Sequence, residues 1–145
     1  MSTLTKFARQ ITLTLALAAV GLAAACAPAA SGPVTSALTE AEAAAIGENA
    51  LAALNAGDYA AWSRDWDEAL KSAINEEAFL AYREQVLEAA GQYQETLSID
   101  MSPSPRADSV RWVLTCQFEK AKVRFIMAFP ADGKRMNTVM TEPAS

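Results

Sequence analysis

Histidine is absent from all 145 residues. That absence removes Ser-His-Asp and Cys-His catalysis, imidazole proton shuttles and most zinc sites. Cysteine is nearly absent, with Cys26 and Cys116 supplying all the sulfur chemistry. An exported protein could pair them, but pairing would preclude lipidation of Cys26 and tie a flexible segment into the core. Basic residues are outnumbered, 12 Lys and Arg against 17 Asp and Glu. No basic stripe is available to neutralise phosphates, so nucleic acid is not an expected partner. Adhesion to anionic lipid headgroups is disfavoured for the same reason. Neither GxxxxGK[ST] nor G-x-G-x-x-G occurs, which leaves no phosphate-cradling loop.

What is present begins with an export signal. Met1 to Gln10 carries Lys6 and Arg9 and no acid, and Ile11 to Ala25 then runs without a charge. Fifteen helical residues reach about 22 Å, short of the roughly 30 Å hydrocarbon core. A charged head, a short apolar middle and a small-residue end describe a signal peptide over 1–25. Its removal takes two positive charges, leaving 10 basic against 17 acidic residues and a net charge of −7.

The cleavage site reads in two ways. Leu22-Ala23-Ala24-Ala25-Cys26 resembles a bacterial lipobox, in which cleavage precedes a cysteine bearing a diacylglycerol thioether. Ala23 departs from that pattern, which prefers leucine there. Ala23-Ala24-Ala25 also fits the small-x-small rule of ordinary secretion, which would leave a soluble secreted or periplasmic protein. Residues 26–37, rich in Ala, Pro, Ser and Gly, read as a tether. A tether favours lipidation at Cys26 and a membrane-anchored domain over 38–145. Two acyl chains would hold it firmly where one alone binds marginally.

The domain changes period midway, helical to about Ala90 and alternating from Tyr93 to Thr141. Helices first and strands afterwards predict an α+β fold, with three helices packed on a curved four-stranded antiparallel sheet. Thr39-Glu40-Ala41-Glu42 is a capping box opening the first helix, with Ile46, Ala50, Ala53 and Leu54 as its stripe. Asp58 caps a second helix, in which Tyr59, Trp62, Trp66, Ala69, Leu70 and Ala73 share one face. Asn75 caps a third, with Phe79, Tyr82, Val86 and Ala90 facing inward and Gly91 ending it.

Alternation then marks four strands. The first runs from Tyr93 to Met101 and is broken by Ser102-Pro103-Ser104-Pro105. Val110, Trp112, Leu114, Cys116 and Phe118 share a face of the second; Val123, Phe125, Met127 and Phe129 share one of the third. A turn is expected near Glu119-Lys120. Asp132-Gly133 predicts a tight hairpin, with Met136 to Thr141 closing the sheet.

Gly57 to Lys71 reads Gly-Asp-Tyr-Ala-Ala-Trp-Ser-Arg-Asp-Trp-Asp-Glu-Ala-Leu-Lys, and Phe79-Leu80-Ala81-Tyr82 and Gly91-Gln92-Tyr93 follow. Together these resemble the DUF3887 group of bacterial proteins over roughly residues 40–142. The resemblance implies an NTF2-like, cystatin-like α+β roll, often on a lipoprotein, and supplies no catalytic residues. The carboxyl end, Met136-Asn137-Thr138-Val139-Met140, lacks the group's apolar-Gly-apolar run.

A roll of that kind resembles a cone, which Tyr59, Trp62, Trp66, Tyr82, Trp112 and Phe125 would either line as an apolar pocket or fill as core. The functional expectation is an envelope lipoprotein with a non-enzymatic module. Its partner is a small apolar ligand, or another protein or second copy meeting the exposed sheet. The alternative is an isomerase or hydrolase with a carboxylate in the aromatic cone. Asp100 with Tyr59 or Tyr82 would imitate ketosteroid isomerase, although alternation with Ile99 and Met101 turns Asp100 toward solvent. Asp65, Asp67 and Glu68 lack the glycine-containing loop of a calcium site and read as a solvated helix face, so no metal or cofactor is expected. Cys116, on an apolar strand face, reads as a small hydrophobe.

Overall fold

The computed structural model describes residues 35–145. The proposed signal peptide, Cys26 and the tether up to residue 34 lie outside the described residues. Among the described residues no helix is long and apolar enough to cross a membrane. The described residues form an α+β arrangement of four helices followed by four strands: α1 (Glu40–Ala56), α2 (Tyr59–Trp62), α3 (Glu68–Ala73), α4 (Glu76–Ala90), β1 (Tyr93–Pro103), β2 (Ser109–Phe118), β3 (Lys122–Pro130) and β4 (Thr138–Pro143). The strands pair antiparallel in the order β1-β2-β3-β4, an open meander.

α1 begins as its capping box dictates. Thr39 Oγ1 accepts from the Glu42 amide, and Glu42 Oε2 accepts from the Thr39 amide at 2.9 Å. Gly57, left-handed at φ 72°, ends it and donates to the Ala53 and Leu54 carbonyls. Ala43, Ala50, Leu51, Ala53 and Leu54 are buried against the sheet. Gly47 is what brings the helix so near: a Cβ there would lie 2.5 Å from Leu114 Cδ2 and 3.2 Å from Met127 Cε.

The second predicted helix is divided, so the described residues hold four helices where the sequence predicts three. Asp58 caps as expected, its Oδ1 accepting from Ala61 N at 3.0 Å, but helix stops at Trp62. Trp66 then forms an isolated parallel bridge with Met136. Asp67 N donates to Met136 O, and Met136 N donates to Asp65 O, both at 2.8 Å. Those backbone groups are thereby withdrawn from any helical ladder. Asp67 starts α3 afresh as its N-cap, its Oδ1 accepting from Leu70 N at 2.7 Å. As a result Ala69 and Ala73, placed on the apolar stripe by periodicity, are exposed.

α4 follows the prediction, with Asn75 Oδ1 accepting from Ala78 N at 2.9 Å and Phe79, Val86 and Ala90 buried. The core faces of β2 and β3 also follow it: Val110, Trp112, Leu114, Cys116 and Phe118 lie beside Val123, Phe125, Met127 and Phe129. β1 continues through Met101 to Pro103, past the expected break, and is irregular near Tyr93–Glu95 and Thr96–Ser98. Asp132-Gly133 does not form a tight hairpin. β3 ends at Pro130 and β4 starts at Thr138, because Met136 is taken up by the bridge to Trp66.

The folded part starts slightly before the predicted boundary. Leu38 is buried, Ala37 N donates to Ala131 O at 3.0 Å, and Trp112 Nε1 donates to Ser36 Oγ at 3.3 Å.

Two consequences are measurable. Gly47→Val forces a branched side chain onto Leu114 and should lower unfolding free energy by about 1–3 kcal/mol in urea titration. Glu42 is held near a pKa of about 2 by the Lys134 ammonium, helped by Thr39. Because the folded value is depressed, its stabilisation is present above the ordinary pKa near 4.5 and is lost as pH falls toward 2. Glu42→Gln should therefore be less stable than wild type near neutrality and converge with it at low pH in thermal melts.

Candidate functional site

The aromatic residues of the helices gather into one block. Trp62 stacks on Phe79 with centroids 4.5 Å apart and on Tyr82 at 5.6 Å. Trp66 meets Trp62 at 4.5 Å and 65°, and Tyr59 edge-on at 6.3 Å and 87°. Trp62 and Trp66 are 3% and 1% exposed, and their indole N–H groups have no hydrogen-bond partner among the described residues. Tyr59 is tied outward, its hydroxyl donating to Ile74 O at 2.6 Å. Trp112 and Phe125 belong to the sheet side of the same core, and both are buried.

Of the six candidate pocket residues, the structure brings Tyr59, Trp62, Trp66 and Tyr82 into that block. Tyr82 also lines open space. It walls a cleft of about 410 Å³ between α4 and the corner of the sheet where β3 begins and β4 ends. Val86, Ala89 and Ala90 line the helix side; Ala121, Val123 and Pro143 line the sheet side. Small and branched apolar residues thus make a floor, and the volume falls in the range of small-molecule sites.

Polar groups converge at one place in this cleft. Tyr82 donates to Thr141 Oγ1 at 3.0 Å, linking α4 to β4 across the cleft wall. Burial pushes the Tyr82 phenol above its ordinary pKa, and the bond to Thr141 only partly opposes this. It therefore stays neutral and able to donate at any physiological pH. Gln85, Lys122 and Glu142 complete the lining, with Glu142 ion-paired to Arg124 on the adjacent strand. The helix spacing of Tyr82, Val86 and Ala90 signalled this face. Nothing in the sequence signalled that Ala89, Ala121 and Pro143 would meet across it.

A second cavity of similar volume lies between α1 and the loop after β3, lined by Leu38, Ile46 and the charged Glu42, Asp65, Lys134 and Arg135. Its carboxylates are already engaged: Glu42 with Lys134 and Asp65 with Arg64.

The remaining candidates are placed apart from the cleft. Asp100 pairs with Val113 on β2 and is exposed. Ile99 and Leu114 occupy the core face, so alternation puts Asp100 on the sheet face opposite Tyr59 and Tyr82. Asp65 pairs with Arg64, Asp67 caps α3 and Glu68 meets Lys71, so each of the three acids serves a local contact. No cluster of three or more metal-ligating side chains occurs among the described residues. Cys116 is fully buried, its thiol 3.6 Å from Leu114 O, and burial pushes its pKa up to about 11.

No family model matches this chain, and no curated protein matches it. It is similar to a solved structure, the NMR structure of a protein from Ruminococcus gnavus ATCC 29149, with a TM-score of 0.57 and 15% sequence identity. That similarity spans 71% of this chain and 90% of the Ruminococcus chain. At such low identity it is a likeness of fold, and it bears out the helices-on-sheet arrangement.

Burial and a raised pKa leave Cys116 almost no thiolate. Iodoacetamide at pH 8, followed by mass spectrometry of the peptide containing Cys116, should find it unlabelled in the native protein and labelled in denaturant. Rapid native labelling would mean that the β2 side of the core opens.

Proposed function

We propose that this chain is a bacterial cell-envelope lipoprotein of the NTF2-like type. Its module, after removal of residues 1–25, is anchored through a diacylglycerol thioether on Cys26 and binds a small apolar ligand without catalysing a reaction. The observation that carries the ligand reading is the cleft itself. Its apolar floor converges on the Tyr82–Thr141 hydroxyl pair, and the one carboxylate in its lining is already paired. An enzyme of the isomerase type would need an acid beside Tyr59 or Tyr82, whereas Asp100 lies on the opposite sheet face.

The NTF2-like assignment is supported by the order of helices before strands and by their packing on one sheet face. The anchor reading is supported by the uncharged run ending at Ala25, the cysteine that follows it, and the point at which the chain joins the domain. Ser36 and Ala37 are held to the body of the fold, so the segment after Cys26 ends on a fixed attachment. A second reading, pairing with another protein or a second copy through the sheet, is supported by Met140, 44% exposed beside Ile126 on the face away from the helices.

Each half of the proposal has its own test. Cys26→Ser should move the full chain from the membrane to the soluble fraction of its host, and unchanged membrane association would sink the anchor. The neutral fluorophore N-phenyl-1-naphthylamine should bind the protein one to one and brighten. Ala89 is exposed on α4, so Ala89→Trp should leave the fold intact while filling the cleft and abolishing that signal. A signal unchanged by Ala89→Trp would remove the cleft as the binding site.

A further inference from the structure

The charges lining the cleft balance, unlike those of the protein. The chain is acidic overall, with 17 Asp and Glu against 12 Lys and Arg. Two charged residues line the cleft, Lys122 and Glu142. Glu142 is paired with Arg124 across the β3–β4 ladder. Lys122 belongs to none of the ion pairs formed among the described residues, and it is exposed at the first position of β3. With Glu142 held by Arg124, the one lining charge outside those pairs is an ammonium on a four-carbon stem, long enough to follow a ligand at the rim.

The hydroxyl pair points the same way. Thr141 Oγ1 accepts the Tyr82 proton, which leaves the threonine's own proton free to donate. The wall and the rim thus each offer a donor over the apolar floor.

We infer that the cleft selects an anionic amphiphile, a single aliphatic chain ending in a carboxylate, with Lys122 as its counter-ion. The chain lies along Val86, Ala89, Ala90 and Val123, and the carboxylate takes the ammonium at the rim. This assignment rests on the ligand reading above and adds to it the charge and shape of the ligand. Exposed ion pairs contribute modestly, so the selectivity expected is a few-fold, and salt should weaken it.

Displacement of N-phenyl-1-naphthylamine from the full chain by decanoate and by its neutral counterpart decanol tests it. Decanoate should displace the probe about three- to five-fold more effectively at low salt. Lys122→Gln, a surface change, should erase that preference while decanol displaces as before. Equal displacement by both compounds in the wild type, or a preference that survives Lys122→Gln, would overturn the carboxylate assignment and leave the cleft reading standing. If the probe does not bind at all, or binds Ala89→Trp as well as wild type, the cleft reading falls and the assignment with it.

Discussion

Phe79 and Trp62 stack with their centroids 4.5 Å apart, and much of the helical half depends on that contact. Phe79 belongs to α4 and Trp62 to α2, so the pair joins helices separated by a turn, a bridge and a third short helix. Trp66 extends the stack on one side and Tyr82 on the other. Offset and edge-on aromatic contacts contribute roughly 0.5–1.5 kcal/mol each beyond the area they bury. Here they compensate for short helices that would be marginal alone, α2 with four residues and α3 with six. They also fix the position of Tyr82, and with it the wall of the cleft.

The same block explains where reading the sequence succeeded and where it did not. Capping signals at Thr39, Asp58 and Asn75 are local chemistry, and each gave its helix start correctly. Alternation in β2 and β3 is also local, and their buried faces were legible residue by residue. The break after Trp62 was not. Tyr59, Trp62, Trp66 and Leu70 keep helical spacing across it, and the deciding interaction is a bridge to Met136, seventy residues away. That bridge also delayed β4 to Thr138, so the turn over Pro130–Gly133 does not close a tight hairpin. One signal was available: Asp67 stands before Glu68-Ala69-Leu70 as a capping residue would, but a continuous apolar stripe outweighed it.

The candidate site was legible in outline only. Aromatic residues announced where the core would be dense, and Tyr82 sits at its border with the cleft. The cleft owes its volume to alanines at positions 89, 90 and 121, and small side chains leave no mark in an apolar pattern that distinguishes a gap from close packing. Gly47 illustrates the opposite outcome, a small residue where two elements touch with no space left. The two cases become distinguishable only once the elements on both sides have been placed.

The segment Ser36–Leu38 is pinned beside Ala131 and Trp112, where β3 ends. The cleft lies where β3 begins, around Val123. Eight residues of strand separate Val123 from Ala131, about 26 Å at 3.3 Å per residue. Ser36 thus sits at one pole of the sheet and the cleft opens at the other. A molecule entering the cleft therefore approaches at the pole remote from Ser36, and occupancy there leaves the contacts that pin Ser36–Leu38 untouched.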